Sequence, residues 1–179
     1  MRGNCHLMLG ASVGAMCALN LELLNSLLPN ISTTYETGTL IVMGSLIGSV
    51  IPDIDNASSY IAKLTFPLGT PFTAAQKLMR KEKWEHRGIM HDGFIYLVGI
   101  VLSYFYFTPL LGFFLGALTH ILLDMFNPTG IPFCFGVKRL RLAKIPSGSK
   151  EGIRVSALLI ALVLVAGVTI YLKIPLPIV

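Results

Sequence analysis

Residues 109–126 read PLLGFFLGALTHILLDMF. The run is apolar along nearly its whole length, carries a Gly112/Gly116 pair, and closes on His120 and Asp124. A membrane span needs about 20 predominantly apolar residues at ~1.5 Å rise each, so this stretch reads as a membrane helix. Its two ionisable side chains lie at i and i+4, on one face and close to one end. A His–Asp pair in that position can bind an ion or simply hydrogen-bond. The choice depends on what the other apolar stretches bring to the same end.

The chain is 54% hydrophobic and 13% charged, against roughly a quarter charged in soluble domains. Apolar stretches also cover about 7–28, 38–52, 93–108 and 153–174. Thr108-Pro109 separates the third from the fourth and reads as a tight turn between antiparallel helices. These features predict an all-α, single-domain protein over 1–179, a multi-pass bundle of about five transmembrane helices. With the N-terminus inside, Arg2 and the 54–92 and 127–152 segments face the cytoplasm. Together with Arg154 at the edge of the last helix, they hold every Lys and Arg except Lys173, as the positive-inside rule expects. The net charge of +5 therefore points to membrane lipid, and specifically anionic inner-leaflet headgroups, as partner; nucleic acid is not expected. Oligomeric state is left open.

Arg2, an apolar run and small residues around Ala15–Ala18 have the outline of a secretory signal. The run exceeds the usual ~7–15 residues, and cleavage there would discard His6, so the expectation is an uncleaved first helix. Cys5, Cys17 and Cys134 form no CxxC pair and no even disulfide set. They read as reduced thiols, with Cys5 a minor candidate ligand beside His6.

Between the spans, Thr70-Pro71 looks like a helix start. Phe72, Ala75, Leu78 and Met79 then recur at helical spacing, with Lys77, Arg80, Lys81 and Lys83 largely elsewhere and Trp84 at the end. That is the pattern of an interfacial amphipathic helix, a solvated connector being the alternative. Residues 127–150 alternate apolar and basic residues, which suggests an extended or hairpin-like basic loop against the headgroups. Ser147-Gly148-Ser149 reads as a hinge into the last helix. Gly10/Gly14, Gly44/Gly48 and Gly112/Gly116 have the spacing that lets membrane helices approach backbone to backbone. They assign a tight packing core to the first, second and fourth stretches.

The chemistry lies at the helix ends. His6 precedes the first apolar stretch, Asp53 and Asp55 close the second, His86, His91 and Asp92 open the third, and His120 and Asp124 close the fourth. Alternating passes bring those ends to one membrane face. Histidine and aspartate suit zinc or another borderline divalent ion, with manganese as alternative. The expected ligands are His6, Asp53, Asp55, His86, His91, His120 and Asp124. That set exceeds the need of one tetrahedral site, which favours two or three ions. Asp92 is either the N-cap of the third helix or a further ligand. Arg87 either clamps a phosphate oxygen or contacts a headgroup. Multi-metal sites polarise phosphoryl oxygens and make hydroxide available near neutral pH, and Asp55 is placed to act as general base.

Four segments carry a resemblance, in order: His6-Leu, Pro52-Asp53-Ile-Asp55, His86-Arg87-Gly88-x-x-His91 and Gly116-x-x-x-His120-x-x-x-Asp124. With Asn127-Pro128-Thr129-Gly130-Ile-Pro132 they resemble the bacterial inner-membrane metal-dependent hydrolases, one branch of which is controlled by the SOS repressor LexA. The likeness covers about residues 5–145. It implies a divalent metal, an inner-membrane location and a hydrolase label that rests on a more distant similarity to zinc-dependent phospholipases C. Two positions depart from the family pattern. Met90-His91-Asp92 stands where Thr-His-Ser is common, and Asn56 where a histidine often follows the Asp turn. The expected activity is phosphoester hydrolysis on a phospholipid or lipid-linked substrate at the cytoplasmic leaflet. A non-catalytic metal sensor or scaffold is the alternative.

Overall fold

The computed structural model describes residues 3–56, 59–65 and 89–173. The chain is mostly helical, in the order α1 (Gly3–Leu19), α2 (Leu21–Leu27), α3 (Tyr35–Gly48), a 3-10 turn (Ile51–Asp55), α4 (Tyr60–Leu64), a 3-10 turn (Ile89–His91), α5 (Gly93–Tyr106), a 3-10 turn (Thr108–Leu110), α6 (Leu111–Asp124) and α7 (Lys150–Lys173). Between α6 and α7 lies an antiparallel hairpin, β1 (Ile131–Phe133) and β2 (Lys138–Leu140). It pairs Ile131 with Leu140 and Phe133 with Lys138. The loop expected to be hairpin-like is therefore a hairpin. Thr108-Pro109 is the expected tight turn, a single 3-10 turn joining antiparallel α5 and α6.

Tyr35–Ile54 and Lys150–Lys173 are each long and apolar enough to cross a membrane. A third crossing results if α1 and α2 act as one, although they are bent by 77°. The bend falls at Asn20, whose carboxamide donates to the Met16 and Gly167 carbonyls at 2.8 and 3.1 Å. The first apolar stretch is thus a broken helix and not the continuous one that its hydropathy predicts. α5 has 14 residues, about 21 Å of helix against a hydrocarbon core of about 30 Å. Thr108–Asp124 is likewise a shorter apolar segment, so length alone does not make either a full crossing. The apolar faces of these helices are exposed, as at Leu158, Leu162, Val165 and Val168 on α7. Lipid is the solvent that suits such a surface.

Glycine sets the spacing of the central three helices. A β-carbon at Gly48 would overlap the Phe113 carbonyl, one at Gly112 the Ile41 carbonyl, and one at Gly116 the Ser45 carbonyl. At Gly14 it would lie 2.9 Å from the Ser45 β-carbon. The glycine pairs of α1, α3 and α6 therefore let the three backbones touch, the close approach expected of such spacing in lipid. Ser45 bridges two of the helices, its hydroxyl donating to the Gly10 carbonyl at 2.7 Å. This interlock brings the start of α1 and the ends of α3 and α6 together at one end of the bundle.

Candidate metal centre

His6 sits in the first turns of α1, Asp53 in the turn after α3, His91 just before α5, and His120 and Asp124 in the last turns of α6. They converge. His91 Nε2 lies 3.5 Å from Asp53 Oδ1 and 3.7 Å from Asp124 Oδ2. His120 Nε2 lies 3.7 and 3.8 Å from the same two oxygens. Two imidazoles and two carboxylates thus face one another across four nearly equal nitrogen–oxygen edges. His6 joins from the side, with Nε2 3.6 Å from Asp124 Oδ1 and its ring stacked on His120 at 3.8 Å.

Those separations exceed the 2.7–3.2 Å of a hydrogen bond. They resemble the spacing of ligands around an ion: two donors ~2.0–2.1 Å from a tetrahedral zinc stand about 3.4 Å apart. Two triads, His6/His120/Asp124 and Asp53/His91/His120, each offer ligand atoms within 4.8 Å of one another. Either group can hold a metal ion. His6, His91, His120 and Asp124 are at most 3% exposed, whereas the Asp53 side chain is 30% exposed. Asp53 therefore marks the open side of the cluster.

The surroundings aim the ligands. His120 Nδ1 lies 2.7 Å from the Ser49 carbonyl oxygen, an acceptor only, so Nδ1 carries the proton and Nε2 keeps its lone pair. Among the described residues that Nε2 is buried with no hydrogen-bond partner. A buried lone pair directed between two carboxylates is the arrangement an ion satisfies. Asn127 donates from Nδ2 to Asp124 Oδ1 at 2.7 Å and accepts from the Ser147 hydroxyl at 3.0 Å. Such outer partners fix ligand orientation and ligand basicity. Both triads draw on His120, whose single free nitrogen can serve one ion at a time. His120 therefore completes one triad or the other, and the two triads are joined through it.

Asp92 is fully buried and accepts the Phe94 amide on Oδ1 at 3.0 Å and the Gly136 amide on Oδ2 at 3.1 Å. It caps α5, and both its oxygens are engaged by backbone amides, so the cap reading holds over ligation. His86 and Arg87 lie outside the described residues, as do the side chain of Asp55 and the expected amphipathic helix after Thr70. Cys5, Cys17 and Cys134 are free thiols. The sequence reading missed the Ser49 carbonyl and Asn127. A backbone acceptor leaves no signal in a sequence, and there Asn127 reads only as part of the 127–150 loop and of the resemblance, with no tie to Asp124.

The profile of the family described as YdjM inner membrane protein matches residues 1–174. The chain belongs to that family. It is therefore an inner-membrane family protein, in keeping with its apolar helices. No curated protein and no solved structure matches it.

Proposed function

We propose that this chain is a membrane-embedded, metal-dependent hydrolase that cleaves a phosphoester of a phospholipid or lipid-linked substrate at the cytoplasmic leaflet. In this reading α1–α2, α3, α5, α6 and α7 are all membrane-embedded. The cluster then faces the cytoplasm, the side favoured by the basic residues. The observation that carries the reading is the four-edged meeting of His91 and His120 with Asp53 and Asp124.

Zinc fits the donor set best, with manganese the alternative. Such an ion supplies Lewis-acid polarisation of a phosphoryl oxygen and an acidic water near neutral pH. His91, His120, Asp53 and Asp124 would hold it. Ser49 and Asn127 keep His120 and Asp124 in the orientation that binding needs. Asp53, the most exposed of these four, borders the approach for substrate. Asp55 is assigned as general base and Arg87 as the clamp on developing phosphate charge. His86 would provide ligation for any further ion.

The test is turnover by the purified full-length chain, loaded with zinc or manganese, on a panel of phospholipids and lipid diphosphates. Headgroup or phosphate release is expected, and it should be lost in the His120→Ala/Asp124→Ala double variant. Release no faster than that variant's overturns the reading. One observation favours a second function, that of a metal sensor or scaffold: the two triads together gather five donor side chains, all but Asp53 buried. X-ray absorption showing only protein ligands would select it.

A further inference from the structure

Between residues 127 and 149 the chain carries Lys138, Arg139, Arg141 and Lys144 and no acidic residue. The turn of the β1–β2 hairpin is unusual. Cys134 and Phe135 both adopt positive φ, 51° and 55°, followed by Gly136 at 75°. Two consecutive non-glycine residues in left-handed conformation are uncommon. They give a tip that leaves Phe135 59% and Val137 76% exposed, with Leu142 at 60%. Lys138 and Arg139 are exposed beside them.

This tip is tied to residues that neighbour the candidate metal ligands. The Phe94 ring contacts those of Phe133 and Phe135, with centroids 6.0 Å apart in each case. Asp92, next to His91, takes the Gly136 amide. After β2, the Leu142 and Ile145 amides donate to the Met125 and Phe126 carbonyls at 2.7 and 2.9 Å, immediately beyond Asp124. An exposed apolar tip is thus tied to residues that adjoin two candidate ligands.

We propose that the hairpin is a lipid-seating element: Phe135 and Val137 enter the bilayer interface while Lys138 and Lys144 bind the phosphates of anionic phospholipid headgroups, with Arg139 and Arg141 bracing the loop through the Thr129 and Pro128 carbonyls at 3.1 and 3.0 Å. Apolar residues flanked by lysine and arginine have the chemistry of an interfacial anchor, and an acid-free basic segment complements an anionic leaflet. Seated this way, the hairpin gathers headgroups at the rim of the His/Asp cluster. The inference rests on the hairpin and its ties, and it stands whether or not the cluster hydrolyses anything.

The experiment uses the full chain with Val137→Cys spin-labelled in a Cys5→Ser/Cys134→Ser background. It is reconstituted in nanodiscs of phosphatidylcholine alone or of equal parts phosphatidylcholine and phosphatidylglycerol. Collision rates with oxygen and with a water-soluble nickel chelate report the depth of the label. In the mixed discs the label is expected below the phosphate level, and Lys138→Glu/Lys144→Glu should return it to water. The same variant should lower phosphatidylglycerol enrichment around the protein by at least about fivefold, the effect of one basic residue near an anionic surface. A label in water in both lipids overturns the proposal. So does a depth indifferent to lipid charge and charge reversal, which would point to contact with protein. Neither readout depends on turnover, so this failure is separable from failure of the hydrolase reading.

Discussion

Replacing Asn127 with alanine should weaken metal binding without unfolding the protein. Asn127 is 1% exposed, and its Nδ2 lies 2.7 Å from Asp124 Oδ1, a short bond to a carboxylate. Hydrogen bonds to charged groups contribute about 1.5–3 kcal/mol. At ~1.4 kcal/mol per tenfold, that corresponds to an affinity loss of about 10–100-fold, the range found for outer partners of metal ligands. Ser147→Ala removes the neutral bond that braces Asn127, worth about 0.5–1.5 kcal/mol, or a loss of roughly 2–10-fold. His120→Ala should abolish binding, because both triads contain it. The assay is competition for zinc between the detergent-solubilised protein and a chromophoric chelator, with circular-dichroism melting as the folding control. An Asn127→Ala affinity within twofold of wild type, with unchanged melting, would refute the reasoning. A larger loss in Ser147→Ala than in Asn127→Ala would refute it equally.

Gly48→Ala should destabilise by about 1–3 kcal/mol through overpacking against the Phe113 carbonyl. Gly3→Ala, where an added β-carbon meets nothing within 4 Å, should leave the melting temperature in detergent unchanged. Asp92→Ala strips the acceptors from the Phe94 and Gly136 amides. It should cost about 0.5–2 kcal/mol, the usual worth of a helix cap, and speed hydrogen exchange at Gly136; Asp92→Asn, which keeps one acceptor oxygen, should recover part of both. A membrane-impermeant maleimide should label the partly exposed Cys5 and Cys134 in inverted vesicles but not in intact cells, while the buried Cys17 stays silent. The opposite sidedness would overturn the proposed orientation.

How far the chain was legible depended on whether a feature is local. The i, i+4 spacing of His120 and Asp124, the glycine pairs and the Thr108-Pro109 turn are properties of single segments, and each appears in the structure. Convergence of His6, His91 and His120 followed from their places at the ends of successive apolar stretches. What stayed hidden involves partners far apart in sequence. Asp92 could be read as cap or ligand because its second oxygen is settled by the Gly136 amide, 44 residues away. The 77° break falls at Asn20, which bonds the Gly167 carbonyl in the last helix, whereas hydropathy alone reads one span over 7–28. The Ser49 carbonyl became a partner of His120 only through tertiary packing, since every residue carries such an acceptor.

That last contact ties the packing core to the site. His120 Nδ1 reaches the Ser49 carbonyl from α6 because α3 and α6 touch along Gly48, Gly112 and Gly116. A methyl group at Gly116 meets the Ser45 carbonyl and must push the two backbones apart, lengthening a 2.7 Å bond one turn further on. Gly116→Ala should therefore lose metal affinity as well as stability, because the bond that fixes the His120 tautomer lengthens. Gly167→Ala provides the control: its β-carbon meets the Met16 side chain at 2.6 Å, across the α1–α7 contact, and not His6, His91, His120, Asp53 or Asp124. It should lower the melting temperature while leaving zinc affinity unchanged. Equal affinity loss in the two variants would mean that binding merely tracks overall stability. Loss confined to Gly116→Ala would mean that backbone contact between α3 and α6 positions the imidazole.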